Sequence, residues 1–230
     1  MVTFDCLEDL ARWLDQLQAQ RETLAVFRLK TRMSDRQLHQ AMDTMLPMAG
    51  RQSRRIRRDR GGVQVRITLG YREGVRIADA WKQGKADMLN EREYHTLIKA
   101  QDMAEAALQS GNVLETLQKR LLAALTYTSP SHGRPGYSAV VHASSAMLEG
   151  RANCQGISDA MYLLGTLAGL QMGYQAGRNA RGAHLWNKVQ VDGAWRHLDV
   201  TAALNNDART AEILLTDAQA REKGLIWPAW

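Results

Sequence analysis

The sequence predicts an α+β fold in which a helix bearing a cysteine packs on an antiparallel sheet bearing a histidine and an aspartate. Three observations predict it. Asn153, a good N-cap, precedes Cys154 and a run of Ile157, Ala160, Met161, Leu164, Leu167 and Ala168 at helical spacing, closed by Gly169. Two apolar-rich runs, 183–191 and 194–200, flank Asp192-Gly193, a dipeptide suited to a two-residue hairpin turn. Upstream, helix and strand patterns alternate through the first half of the chain.

Taken in order, Leu7, Leu10, Ala11, Leu14 and Leu17 form the apolar stripe of an amphipathic helix, and residues 24–29 read as a strand. Ser34-Asp35-Arg36-Gln37 is a capping box that opens a second helix. Val63, Val65, Ile67 and Leu69 alternate with polar residues, as in a half-buried strand. Two further helices, near 90–108 and 113–125, lead into a loop holding Pro130, Gly133, Pro135 and Gly136, the expected join to the core. The expected division is a helix-and-strand region over 1–110 and a core over 111–230. There is no internal repeat.

The core carries the chemistry. A cysteine attacks a carbonyl well only as thiolate, an imidazole can hold its proton and pass it to a leaving amine, and a carboxylate fixes the imidazole's tautomer. At a helix start, the helix-end charge favours the thiolate of Cys154, and free backbone N–H groups there suit an oxyanion. Gly156 lets another element approach closely. If Val191 pairs with Ala194 across the turn, Trp186 falls opposite Asp199 and His184 opposite Thr201. His184 and Asp199 are then diagonal neighbours on one face, while Leu185, Val189, Val191, Leu198 and Val200 make the apolar face. A slip of one residue would reverse the faces.

Three segments together, Glu149-Gly150 through Cys154-Gln155-Gly156, His184-Leu185-Trp186-Asn187 and Leu198-Asp199-Val200-Thr201, resemble the transglutaminase-like cysteine enzymes, specifically the bacterial members. Leu167-Ala168-Gly169-Leu170 and the tail Ile213-Leu214-Leu215-Thr216-Asp217 extend the resemblance, which covers roughly 114–217. It implies a papain-like transglutaminase core with Cys154, His184 and Asp199 as catalytic residues, and no cofactor or metal. Such domains usually carry an aromatic where this chain has Ile157, and a tyrosine where it has Ser144. In the family an upstream side chain often completes the oxyanion hole; Tyr137 and His142 are the candidates here. The implied activity is acyl transfer at amide bonds of a peptide or protein substrate. Hydrolysis by a cysteine protease or amidase is favoured, because at 6% aromatic residues the chain is poor in the walls that shield a thioester from water. Crosslinking by transfer to an amine is the alternative, and a non-catalytic peptide- or polysaccharide-binding module a further one.

Length and composition agree with such a core. The chain has 230 residues and is 45% hydrophobic, enough for a substantial core. No apolar run approaches the ~20 residues that span a membrane, and the first residues lack the apolar centre of a signal peptide. A native start at Met1 implies the cytoplasm, and a processed chain an extracytoplasmic place. The oligomeric state is not legible. Two cysteines, Cys6 and Cys154, make no disulfide framework.

Of the formal charge of +6, the arginines at 51, 54, 55, 57, 58 and 60, offset only by Asp59, supply +5. The run from Arg51 to Arg60 can hold a nucleic acid or other anionic polymer. With no nucleic-acid-binding motif beside it, a solvated loop or helix face is the preferred reading. Cys6, beside the first helix's stripe, reads as a partly buried structural thiol. His197 shares the expected face of Asp199 and competes for the base role, but a local hydrogen bond is the preferred reading. Trp186 and Trp195 suit either a groove wall or the core. A zinc site from Cys154, His184, His197 and Asp199 matches no common ligand spacing.

Overall fold

Alternation and capping build the first unit. Strand β1 (Val2–Phe4), helix α1 (Leu7–Ala19), strand β2 (Leu24–Leu29), helix α2 (Asp35–Met45) and strands β3 (Ala49–Asp59) and β4 (Gly62–Tyr71) follow one another in the computed structural model. The described residues are 1–31, 33–129, 136–205 and 214–228. The strands form one sheet in the order β1-β2-β4-β3, parallel at β1/β2 and antiparallel elsewhere. Val63, Val65, Ile67 and Leu69 of β4 and Ala25, Phe27 and Leu29 of β2 are buried with Leu10 and Leu14 of α1 and Leu38 and Met42 of α2. The helices therefore cover one sheet face. Ser34 accepts from the Gln37 N–H and Gln37 reaches back to the Ser34 N–H, so the expected capping box forms.

From Arg51 to Arg58 the arginine run is neither loop nor helix but part of β3, paired with β4 from Ala49 to Asp59, and Arg60 lies in the turn that follows. Polar residues hide a strand when one of its faces meets solvent and the long stems of the other pack over the core edge. Here Ile56, opposite Val65, packs against the core, and Arg54, opposite Ile67, reaches Asp43 and His39 of α2.

In the second unit, helices α3 (Glu73–Lys82), α4 (Glu91–Leu108) and α5 (Val113–Ala123) precede the short strand β5 (Thr126–Tyr127), helix α6 (Ala143–Leu148) and strand β6 (Arg151–Ala152). Helix α7 (Cys154–Leu167), strands β7 (Met172–Asn179), β8 (Gly182–Val191) and β9 (Ala194–Leu198), and helices α8 (Val200–Asn205) and α9 (Asp217–Glu222) complete it. The strands β7-β8-β9 make an antiparallel sheet. Every residue from Gly156 to Leu167 is buried, because α3 to α6 and the sheet enclose α7 on all sides. The expected α+β arrangement, a cysteine-bearing helix against an antiparallel sheet, is present.

The compact units are Met1–Arg72 with Trp227–Trp230, and Glu73–Ile226. The boundary between these units follows Arg72, since α3 and α4 pack on α7 and belong with it. Asp159 of α7 shows why. Fully buried, its carboxylate accepts from the Gly74 N–H of α3 (3.0 Å), the Ala143 N–H of α6 (3.2 Å) and the Tyr174 hydroxyl of β7 (2.7 Å). Of the expected joining loop, Pro130, Gly133 and Pro135 lie outside the described residues, as does Ile213 of the tail.

Candidate active site

Local chemistry sets the start of α7. Asn153 is its N-cap, and the Asn153 side chain accepts from the N–H groups of Gln155 (2.9 Å) and Gly156 (3.3 Å). Cys154 is thus the first helical residue. Of the first three amides of α7, that of Cys154 alone has no acceptor among the described residues. A Cβ at Gly156 would lie 2.6 Å from the Val140 carbonyl and 3.0 Å from that of His142, so the close approach expected of this glycine occurs.

The hairpin that carries His184 has the expected register. Asp192 and Gly193 both take positive φ, 50° and 75°, and Val191 pairs with Ala194 and Asn187 with Leu198. The second strand, however, is shorter than expected. It ends at Leu198, so the anticipated pairing of Asp199 with Trp186 and of Thr201 with His184 does not form, and Val200 and Thr201 lie in α8. The cause is local: Asp199 turns its Oδ1 to the Ala202 N–H (3.2 Å), the posture of a residue that starts a helix.

That turn leaves the other carboxylate oxygen for the imidazole. His184 Nε2 and Asp199 Oδ2 are 2.7 Å apart, with both side chains about 95% buried. Cys154 also favours charge on the same imidazole. Burial opposes a charge on His184, but Asp199 and Cys154 outweigh it and hold the ring's pKa up to about 9. With that pKa the ring is protonated at neutral pH beside the Asp199 carboxylate.

The other histidine of the hairpin is engaged elsewhere. Trp186 Nε1–H donates to His197 Nδ1 (2.8 Å), so the proton of the neutral ring sits on Nε2, which donates to Asp217 Oδ1 (2.8 Å). Burial lowers the His197 pKa, against the pull of Asp217. Both nitrogens of His197 are used in these bonds, and neither bond is to Cys154, His184 or Asp199. Trp186 is fully buried and stacked on His184 with centroids 5.6 Å apart. It braces the imidazole and walls no groove. Trp195 is 43% exposed but pairs with Gln190, six residues along the strand from His184.

Ser144 and Ile157, singled out in the sequence, have structural accounts. Ser144 is buried with its N–H (2.7 Å) and hydroxyl (3.0 Å) on the Glu73 carboxylate, and its oxygen accepts from Arg92 Nε (2.9 Å). Ile157 is fully buried in α7. Tyr137 meets the start of α7, its hydroxyl accepting from Gln155 Nε2 at 2.6 Å. His142 instead caps α6, its carbonyl accepting from the Ser145 N–H. Sequence spacing carried no signal for the Tyr137–Gln155 bond or for the Ala202 amide on Asp199, because both depend on where loops return.

Compared by sequence, the chain matches no family model and no curated protein. Among solved structures it is similar to a TGase, at 14% identity and a TM-score of 0.42, over 91% of this chain and 61% of that one. It is similar to a protein of Parabacteroides distasonis described as a protease, at 14% identity and TM-score 0.38, over 76% of this chain and 39% of that one. The periplasmic domain of TgpA from Pseudomonas aeruginosa is a third, at 16% identity and TM-score 0.34, over 65% and 59%. The chain spans less than two thirds of each of these.

Proposed function

We propose that this protein is a thiol acyl-transfer enzyme acting on amide bonds of peptides or proteins, with Cys154 as nucleophile, His184 as acid and base, Asp199 as orienting carboxylate, and water as acyl acceptor. Catalysis is assigned to the unit Glu73–Ile226. The observation that carries this reading is the buried 2.7 Å contact of Asp199 with an imidazole whose charge the helix-start Cys154 also favours.

The steps follow from these positions. Cys154 Sγ attacks the carbonyl carbon, and the charge that develops on oxygen meets the Cys154 N–H. His184 gives its proton to the amide nitrogen as the C–N bond breaks, and the amine leaves a thioester behind. A water then loses a proton to His184 and attacks the thioester, releasing the acid and the thiol. Asp199 keeps one edge of the ring oriented and stabilises its charge throughout.

Water is favoured over an amine because Trp186, the best candidate for a hydrophobic wall, is buried behind His184, and Trp195 lies far along the strand. The test is to incubate the protein with glutamine-containing peptides and a fluorescent primary amine, following cleavage, deamidation and amine incorporation by mass spectrometry. Cleavage or deamidation that is lost in Cys154→Ala is the expected result. Dominant amine incorporation at millimolar amine would replace the hydrolytic reading with crosslinking, and no product across a broad peptide library would overturn the enzyme reading.

A further inference from the structure

The two faces of the arginine-bearing hairpin are unlike. On the helix-covered side, Arg54 pairs with Asp43 and Arg58 with Asp35, both from α2. Asp59 belongs by alternation to the open side, where Arg28 of β2 neutralises it through two hydrogen bonds of 2.6 and 2.7 Å. On the open side, strand alternation collects Arg51, Arg55 and Arg57 of β3, and Arg66 of β4 joins them. All four are exposed, and among the described residues no carboxylate pairs with any of them. The excess charge of the run is thus sorted onto one flat surface.

Arg55 and Arg66 are directly opposite one another in the ladder, as are Ser53 and Thr68 beside them. Like charges in such a pair are about 5 Å apart at Cβ and repel. Between these four side chains lies a depression of about 350 Å³. Two guanidinium groups and two hydroxyls around a hollow offer many donors and no anion, the donor set that holds a phosphate. Arg57 continues the row about 7 Å further along β3, the two-residue repeat of a strand.

We propose that this sheet face binds the phosphodiester backbone of double-stranded nucleic acid without reading its sequence. A fixed row of arginines suits a polymer whose charges repeat regularly. With no aromatic among the side chains of this hairpin face there is no platform for unstacked bases, which favours a duplex over a single strand. A bilayer is matched less well, since interfacial binding buries an apolar face beneath its charges, and the arginines here are flanked by Ser53, Gln64 and Thr68.

The test is fluorescence anisotropy of a labelled duplex of arbitrary sequence titrated with the full chain at several salt concentrations. Four phosphate contacts predict a slope of log K on log salt of about −3.6, and so a loss of about a hundredfold between about 50 and 200 mM salt. The double variant Arg55→Glu/Arg66→Glu should weaken binding at least tenfold at the lower salt and reduce the slope to about half. Arg36→Glu on α2, exposed and away from this face, should change it less than twofold. Arg55→Gln/Arg66→Gln, which adds no new repulsion, must weaken binding in the same direction with an unchanged circular dichroism spectrum. Failure to bind the duplex, binding insensitive to both double variants, or binding only to vesicles of 30% phosphatidylserine in phosphatidylcholine would overturn the proposal.

Discussion

At the scale of single residues, the charge on His184 links the site to stability. Its pKa is raised from 6.5 to about 9, so the stabilisation from its contacts is fully present below pH 6.5 and is lost as the pH rises through 9. The loss should be on the order of 3 kcal/mol. Urea midpoints measured from pH 6 to 9.5 should fall steeply for the native chain and stay nearly flat for His184→Asn; parallel curves would contradict the ion-pair assignment. A second contrast separates the two histidines of the hairpin. His184→Ala should abolish turnover and the preference of iodoacetamide for Cys154 over Cys6 at pH 6. Cys6 makes a suitable internal reference, because although the Asp9 N–H favours its thiolate, the Asp9 and Glu8 carboxylates raise its pKa. His197→Ala removes the acceptor of the buried Trp186 N–H and should cost about 1–3 kcal/mol while leaving the labelling preference in place. Inactivation by His197→Ala with tolerance of His184→Ala would reverse the roles assigned to the two rings.

At the scale of elements, α7 depends on one side chain for its first turn. Asn153 holds two of the amides beside the thiol, and without it both amides are free and the helix start frays. Asn153→Ala should lower stability by about 0.5–2 kcal/mol, read from denaturant unfolding, and should slow the alkylation of Cys154 as its backbone loses position. Unchanged stability would mean that packing alone fixes this turn. The neighbouring hairpin illustrates how far local pattern reaches. The Asp192-Gly193 turn and its register were legible, because turn geometry dictates which residues pair. The end of β9 was not. A run of apolar residues continues through Val200, and only the Asp199 carboxylate meeting the Ala202 N–H turns the chain into α8.

At the scale of the whole molecule, Asp159 ties three elements to α7 by bonds spanning 15 to 85 residues of sequence. Asp159→Ala leaves two buried amides and a tyrosine hydroxyl without this acceptor and should destabilise the protein by about 3 kcal/mol or more. Tyr174→Phe, which loses one of the three bonds, should cost about 1 kcal/mol. Equal losses from the two variants, measured by urea unfolding, would show that the amides find other partners. This network also accounts for the division of the chain at residue 72, because it binds α3 into the unit that holds Cys154.

Taken alone, the sequence determined the features that depend on near neighbours. These are the Ser34 and Asn153 caps, the alternation of β4, the cysteine at the start of α7, and the hairpin that puts His184 and Asp199 within a few residues of each other. Tertiary structure decided what depends on distant partners. Only packing could make the arginine run a strand, since its period of two is hidden when Arg54 and Arg58 find their carboxylates on a separate helix. Only packing could separate the two histidines, because His197 is claimed by an indole eleven residues before it and an aspartate twenty residues after it, while His184 meets Asp199. Local pattern is written in neighbouring side chains, whereas the partner of a buried charge is whichever group the fold carries to it, and chain spacing does not encode that.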